Sequence, residues 1–324
     1  MSARTATAAA TALKPLKLIT RMMPQRHLPA GRIPVLPGIR LPAPVGPLKG
    51  SSPDATLGRI GSLEVRLART VGEVKRAQEL RYQVFYEEMS AIADAKTLLT
   101  RRDADAFDAI CDHILVLDHD AMETKPFGKS RPKIVGTYRV LRQSVADRFD
   151  GFYTANEYDL APLFARKPDL EFLELGRSCV LPPYRTKRTV ELLWHGIWTY
   201  VLRHRIDVMI GCASLEGTDP RRLALPLSFL HHTAGASAEW AVRALPGRYV
   251  DMNRMGKESL DMRQALHALP PLVKGYLRLG AMIGDGAVVD HQFGTTDVCV
   301  IMPVAQLSQR HVNYYGADAG RHAA

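Results

Sequence analysis

The sequence is poor in several features that would decide a function at once. It has four cysteines in 324 residues (Cys111, Cys179, Cys212 and Cys299), far apart and with no CxxC pair. That argues against a disulfide framework or a cysteine zinc site. Three of the four lie in apolar runs and read as reduced, buried thiols of a cytosolic protein. No stretch approaches the roughly 18–20 apolar residues that span a bilayer. The N-terminus has no continuous apolar segment with a cleavage site, so no classical secretion signal is expected. GxSxG, P-loop and GxGxxG patterns are missing. The His231-His232 pair lacks metal-ligand spacing, and no metal is expected. Acidic residues are absent from the first 53 positions.

That last absence explains the net charge. The chain carries 43 Lys/Arg against 33 Asp/Glu, a formal +10. Residues 1–59 hold nine of the bases and one acid, Asp54, so that segment is about +8 and the remainder about +2. A uniformly basic nucleic-acid-binding domain is disfavoured by this split, and no nucleic-acid partner is expected. Nine prolines between Pro15 and Pro53 prevent a long helix. Residues 1–59 therefore read as a disordered, basic, proline-rich arm, 60–316 as one domain with its own core, and 317–324 as a disordered tail. Leu16, Leu18, Ile19, Met22 and Met23 lie among the cations of the arm. Basic plus apolar is the composition that anionic membrane surfaces attract. A solvated linker is the alternative, and an acid-poor start rich in Ala, Thr and Arg also suits an organelle transit peptide. The expected location is cytoplasmic, peripheral on the inner face of the membrane where the arm binds lipid.

Periodicity predicts the elements. Leu63 to Leu67 alternates with period two and reads as a half-buried strand. Thr70 and Glu73 form a capping-box pattern. A helix with an apolar stripe of Val74, Ala77, Leu80, Val84 and Phe85 runs from there to about Met89, with Arg81 and Phe85 one turn apart. Residues 90–112 read as acidic loop and short helix, 113–117 as a strand and 119–132 as turns. Residues 133–142 and 171–180 are strong strands, the second ended by Pro182-Pro183. A basic loop, 184–188, opens a helix over 189–205, a strand returns at 207–213, residues 219–232 read as helical, and 297–304 is a last strand. The strand–helix–strand step at 171–213 implies a parallel crossover. The earlier strands imply antiparallel pairing, so the fold class is α/β with a mixed sheet.

Chemistry is expected at three places. Free backbone N–H groups where the basic loop opens the helix favour a phosphate, and Arg185, Lys187 and Arg188 add charge. Glu174 and Arg177 are ions inside an apolar strand, costly unless paired or used. Their three-residue spacing puts them on opposite faces of a regular strand, and Gly176 between them suits a bulge that re-aims one. Arg139 poses the same question on its own strand. Asp108 and Asp112 stand at helical i,i+4 spacing before His113, which suits a cationic substrate or a solvated helix end.

The element order resembles the GNAT acyltransferase fold, in which a splayed central strand and the next helix hold the acyl carrier's pantetheine. RYQVFYEE (81–88), the acidic stretch with Asp108, Asp112 and His113, GTYR (136–139) and ELGR (174–177) resemble the layout of acyl-homoserine-lactone synthases. The same RYQVFYEE, with ELGRSCVLPPYR and the run LPPLVKGYLRLGAMIGDGAVVDHQFGTTDVCVIMP, is more similar to the hemolysin-like L-ornithine N-alpha-acyltransferases of ornithine-lipid synthesis. The resemblance covers about Leu63 to Val304. It implies transfer of a 3-hydroxyacyl chain from acyl carrier protein to the α-amine of L-ornithine. It implies Glu174 as base, Arg177 and Arg139 holding the substrate carboxylate or Glu174, and backbone N–H groups near Cys179–Val180 polarising the thioester. Asp108 and Asp112 would face the ornithine ammonium, and Arg81 and Phe85 would shape the acyl-pocket mouth. No bound cofactor is implied. GNAT enzymes carry (R/Q)xxGxG at the pyrophosphate loop. The register Arg185 to Val190 keeps the arginine and lacks both glycines, which favours a carrier protein's single phosphate over coenzyme A. Alternatives are an acyl-homoserine-lactone-type signal synthase and a non-catalytic, membrane-active hemolysin-like protein.

Overall fold

The computed structural model describes residues 56–124 and 130–307. The tail at 317–324 lies outside the described residues, as does the arm apart from its last four positions. Those four are not arm: Thr56–Ile60 forms β1, antiparallel to β2 (Leu63–Leu67). Leu57 is buried in the main core, so the folded domain includes residues ahead of 60, because tertiary packing, not local pattern, recruits this strand.

Thr70 accepts the Glu73 amide and starts α1 (Val71–Tyr82). Only half of the expected capping box forms, because the Glu73 carboxylate takes the Arg66 guanidinium and the Arg69 amide instead. The helix runs on as a π-helical segment, Gln83–Glu88, a widened turn of the kind common at functional sites. After α2 (Ala95–Thr100) and a 3-10 helix at Ala106–Ala109 come two long strands, β3 (Asp112–Glu123) and β4 (Arg131–Arg142). They take up half of the segment expected as turns, 119–123 and 131–132. Short elements follow: α3 (Gln143–Ala146), a 3-10 helix at Tyr153–Asn156, β5 (Tyr158–Asp159) and α4 (Ala161–Arg166). Then β6 (Phe172–Val180), α5 (Lys187–His204) and β7 (Val208–Glu216) make the expected parallel crossover. The chain finishes with α6 (Ala224–Ala234), β8 (Arg243–Ala244), β9 (Tyr249–Val250), α7 (Met262–Ala268), α8 (Pro271–Leu279) and the hairpin β10 (Met282–Asp290)–β11 (Thr295–Pro303).

The strands form one mixed sheet in the order β1-β2-β3-β4-β6-β7-β11-β10-β8-β5, with β9 on β10. Alternation divides its residues between two faces. Val65, Val116, Val140, Leu173, Leu175, Met209 and Val300 join α5, α6 and α8 in the main core. Leu115, Leu117 and Cys179 pack under α1 on the other face. On that second face, Leu141, Phe172, Ile210 and Ile301 pack under the short elements of residues 146–163. β6 and β7 pair only over Phe172–Glu174 and Val208–Ile210. Beyond that point they diverge, and the cleft between them opens beside Glu174.

Candidate active site

β6 carries the expected bulge. Thr137 faces Cys179 and Arg139 faces Gly176, so β6 has one residue more than β4 over this span. The left-handed residue is Arg177, at φ 51°, and not Gly176. The extra residue turns Arg177 to the side of Glu174. Both reach one 3-10 helix: Glu174 accepts the amides of Tyr153 (3.1 Å) and Thr154 (2.6 Å), and the Arg177 guanidinium lies 4.9 Å over the Tyr153 ring. Glu174 is buried, and burial raises its pKa against the Thr154 and Tyr153 donors and the Arg139 charge, which lower it.

Behind them lies a network of three arginines and three aspartates. Arg81 is fully buried, forms a bidentate pair with Asp108 (2.8 Å twice) and reaches Asp103 at 2.8 Å. Arg139 binds Asp105 at 2.6 Å and Asp108 at 3.3 Å. Arg177 reaches Asp103 at 3.3 Å and Asp105 at 3.4 Å. Burial alone would raise the Asp108 pKa, but the Arg81 hydrogen bonds and charge, with Arg139, hold it well below the usual range. Each arginine is on a regular element and each aspartate on the 103–108 loop, so the network pins that loop to the sheet.

The hairpin tip closes the cleft from the other side. Phe293 lies edge-on to Phe85 (5.8 Å) and 4.8 Å from the Arg177 guanidinium. The Ile92 amide donates to the Gln292 carbonyl at 2.7 Å. Arg177 is thus held between the rings of Tyr153 and Phe293. Past them, Glu157, Asp290 and Asp297 bring one carboxylate oxygen each within 4.8 Å of one another.

At the far end of β6, the Leu181 amide donates back to the Val135 carbonyl of β4. Alternation then turns the Val180 N–H and C=O toward the diverging side, and Arg185 Nε donates to that carbonyl at 2.9 Å. Arg185 also forms a bidentate pair with Glu88 (2.5 and 2.7 Å). Lys187, at the start of α5, lies 3.5 Å from Glu191, and the Arg188 guanidinium covers Gly61 in the β1–β2 turn. Cys179 is buried under α1, and burial pushes its thiol up to about 12, far from a nucleophile's range.

Glu174, Arg177, Arg139 and Phe85 therefore meet around one cleft. Two expectations do not fit. Arg81 cannot shape a pocket mouth, since its side chain is enclosed and committed to Asp103 and Asp108. Asp108, in turn, is saturated by Arg81, Arg139 and Gln78, which leaves it nothing for a substrate ammonium. Nor do Asp108 and Asp112 share a helix face. The 3-10 helix stops at Ala109, and Asp112 begins β3, bound to the Tyr200 hydroxyl (2.6 Å) and Arg142 (3.7 Å). Arg185 has two acceptors of its own, so the charge facing a phosphate is less than the sequence suggests. The residues missed were Tyr153, Thr154, Glu157, Asp290, Phe293 and Asp297. Asp297 carried a signal, an acid in an apolar strand; Tyr153 to Glu157 carried none. A cavity of about 520 Å³ lies on the opposite face between α6 and α8, lined by Phe229, Leu266, Leu277 and Met282 with Lys274 and Arg278. It has no carboxylate and thus no proton acceptor, so the cleft is the better candidate for chemistry.

The family described as "Acetyltransferase (GNAT) domain" matches residues 80–195, which run from α1 into α5. An N-acyl amino acid synthase from uncultured soil microbes is 10% identical, with a TM-score of 0.42, over 75% of this chain and 91% of its own. The L-ornithine N(alpha)-acyltransferase of Agrobacterium fabrum is 54% identical over 83% of this chain and 90% of its own length. That of Rhizobium meliloti is 56% identical over 82% and 88%. With identity at that level over nearly the whole described fold, the chain is an acyltransferase and belongs to the L-ornithine N(alpha)-acyltransferase family.

Proposed function

We propose that this chain moves a 3-hydroxyacyl group from the thioester of acyl carrier protein to the α-amine of L-ornithine, giving lyso-ornithine lipid. The observation that carries this reading is the 54–56% identity to named L-ornithine N(alpha)-acyltransferases over most of both chains. The neutral amine attacks the thioester carbonyl; the C–N bond forms, the C–S bond breaks, and the amine proton ends on the leaving thiol. Glu174 is the base that carries that proton. Its two oxygens accept one amide each and the Thr154 hydroxyl adds a third donor, which leaves one lone pair for a proton. Its raised pKa brings it nearer the operating pH, where a general base works best. The Val180 N–H, on the diverging edge of β6, polarises the carbonyl. Arg177 takes the α-carboxylate, with Arg139 fixing the loop behind it.

The donor phosphate lies at the start of α5, where the positive end of the helix dipole and the charges of Lys187 and Arg188 favour one anion. A loop without glycine supports a phosphodiester rather than a pyrophosphate. The basic arm supports contact with an anionic membrane or an acidic carrier. The test is the purified full chain with 3-hydroxyacyl carrier protein and L-ornithine, read by mass spectrometry. The expected product is N-acylornithine, and Glu174→Gln lowers kcat by roughly 10²–10⁴. Acylation of a different amine in preference, or equal turnover of the coenzyme A thioester, overturns the assignment.

A further inference from the structure

Glu157, Asp290 and Asp297 come from three separate parts of the chain: the residue after the Tyr153–Asn156 helix, the end of β10 and the start of β11. Like charges this close repel, more so where water is excluded. Asp297 is buried, and Glu157 is 2% exposed. Local structure accounts for part of the cluster only. Asp290 Oδ1 accepts the Gln292 (2.8 Å) and Phe293 (3.0 Å) amides of the hairpin turn. Asp297 accepts the Ser214 hydroxyl and, at Oδ1, the Thr295 hydroxyl at 2.9 Å. Arg248 approaches Glu157 Oε1 at 3.6 Å. Glu157 Oε2 is buried with no nitrogen or oxygen donor, and the carboxyl's remaining partner is the weakly donating Cys212 thiol. A buried carboxylate oxygen without a strong donor is costly and calls for a cation.

We propose that Glu157, Asp290 and Asp297 form the subsite for the side-chain ammonium of the acyl acceptor, with Glu157 and Asp297 as its floor and Asp290 on its solvent side. This rests on the ornithine reading above and adds the residues that select the diamino acid. An ammonium offers three N–H donors, one for each carboxylate. A divalent ion would want six or more oxygens, and Asp290 and Asp297 already spend one oxygen each on donors. The position fits as well. The Arg177 guanidinium lies 4.9 Å from the Tyr153 ring, in the helix that Glu157 directly follows, and 4.8 Å from the ring of Phe293, whose amide Asp290 binds. The guanidinium and the acidic cluster thus share two neighbours, the Tyr153–Asn156 helix and the β10–β11 turn, and the amide of Tyr153 is bound by Glu174. An ω-amino acid with its carboxylate on Arg177 and its ammonium on the cluster leaves its α-amine between them, toward Glu174.

The experiment compares L-ornithine with L-norvaline, which has the same carbon chain and no ammonium, in the full-length chain and in Asp290→Asn and Glu157→Gln. The native chain is expected to prefer ornithine. Asp290→Asn keeps the turn-capping oxygen, and it should raise the KM for ornithine roughly tenfold to a hundredfold with kcat little changed. Its norvaline kinetics should be unchanged. Glu157→Gln should do the same. Ornithine acylation with an unaltered ornithine-to-norvaline ratio in both variants overturns the subsite alone. Preference of the native chain for another amine overturns the ornithine reading and the subsite with it. A native KM for ornithine that depends on added Mg²⁺ or Ca²⁺ and is lost with EDTA assigns the cluster to a metal and overturns the ammonium.

Discussion

Arg177 holds a conformation that its residue type disfavours. A left-handed backbone costs a non-glycine residue roughly 1–2 kcal/mol, and Gly176 beside it does not take that role. What holds Arg177 there is its side chain, ion-paired to Asp103 and Asp105 and stacked between Tyr153 and Phe293. Glu157 is strained electrostatically. Burial, and then the Asp297 charge, push its pKa from 4.5 up to about 7. The folded chain therefore binds a proton more tightly than the unfolded one, so stability falls as pH rises from about 4.5 to about 7 and stays reduced above that. Glu157→Gln removes the penalty. In urea titrations the variant should exceed the native chain by on the order of 2 kcal/mol at pH 8 and match it near pH 4.5. A pH-independent offset would show that Glu157 is not held at a raised pKa.

At the scale of elements, the cleft exists because β6 and β7 part after three paired residues. Their last close approach is at Gly211, where a Cβ would stand 2.3 Å from the Leu175 carbonyl oxygen. α5 lies equally close on β2: a Cβ at Gly196 would meet Val65 Cγ2 at 2.6 Å. The two obstacles differ in kind, because a side chain can be trimmed and a backbone carbonyl cannot. Gly196→Ala should cost roughly 1–3 kcal/mol and recover part of it when combined with Val65→Ala. Gly211→Ala should cost at least as much and find no such rescue, with acyl transfer falling because β7 is pushed off β6. Equal rescue of both by Val65→Ala would refute the distinction. β4, β6, α5 and β7 were legible in the sequence within two or three residues, since long apolar runs carry their own period. β1 and the Tyr153–Asn156 helix were not, since segments of four or five residues are decided by what they pack against.

At the scale of the molecule, the charge is segregated. Residues 1–55 carry eight bases and one acid, about +7, and the remaining residues about +3. Removing residues 1–55 leaves β1 whole. Sedimentation with vesicles containing anionic lipid should show binding by the full chain that weakens steeply with salt and is lost in the truncated chain, while turnover of soluble substrates persists. Undiminished vesicle binding after truncation would move the lipid contact to the folded domain. The cleft is also a property of the whole. Its side chains come from β4, the bulge of β6, the segment 153–157 and both ends of the β10–β11 turn, and no two of these groups adjoin in sequence.

Composition and local pattern by themselves determined the mixed α/β class, the parallel crossover and the basic start, and they marked Glu174, Arg177 and Arg139 as ions that need a partner. These follow from burial periodicity and from the cost of an ion in an apolar strand, both of which are local. Which ion pairs with which was decided only by the tertiary structure. Asp108 and Asp112 look alike in sequence, yet one is enclosed by Arg81 and Arg139 and the other meets Tyr200 at the edge of β3. Glu157, Asp290 and Asp297 are unremarked singly and become a site through proximity, because electrostatic energy depends on distance in space and not along the chain.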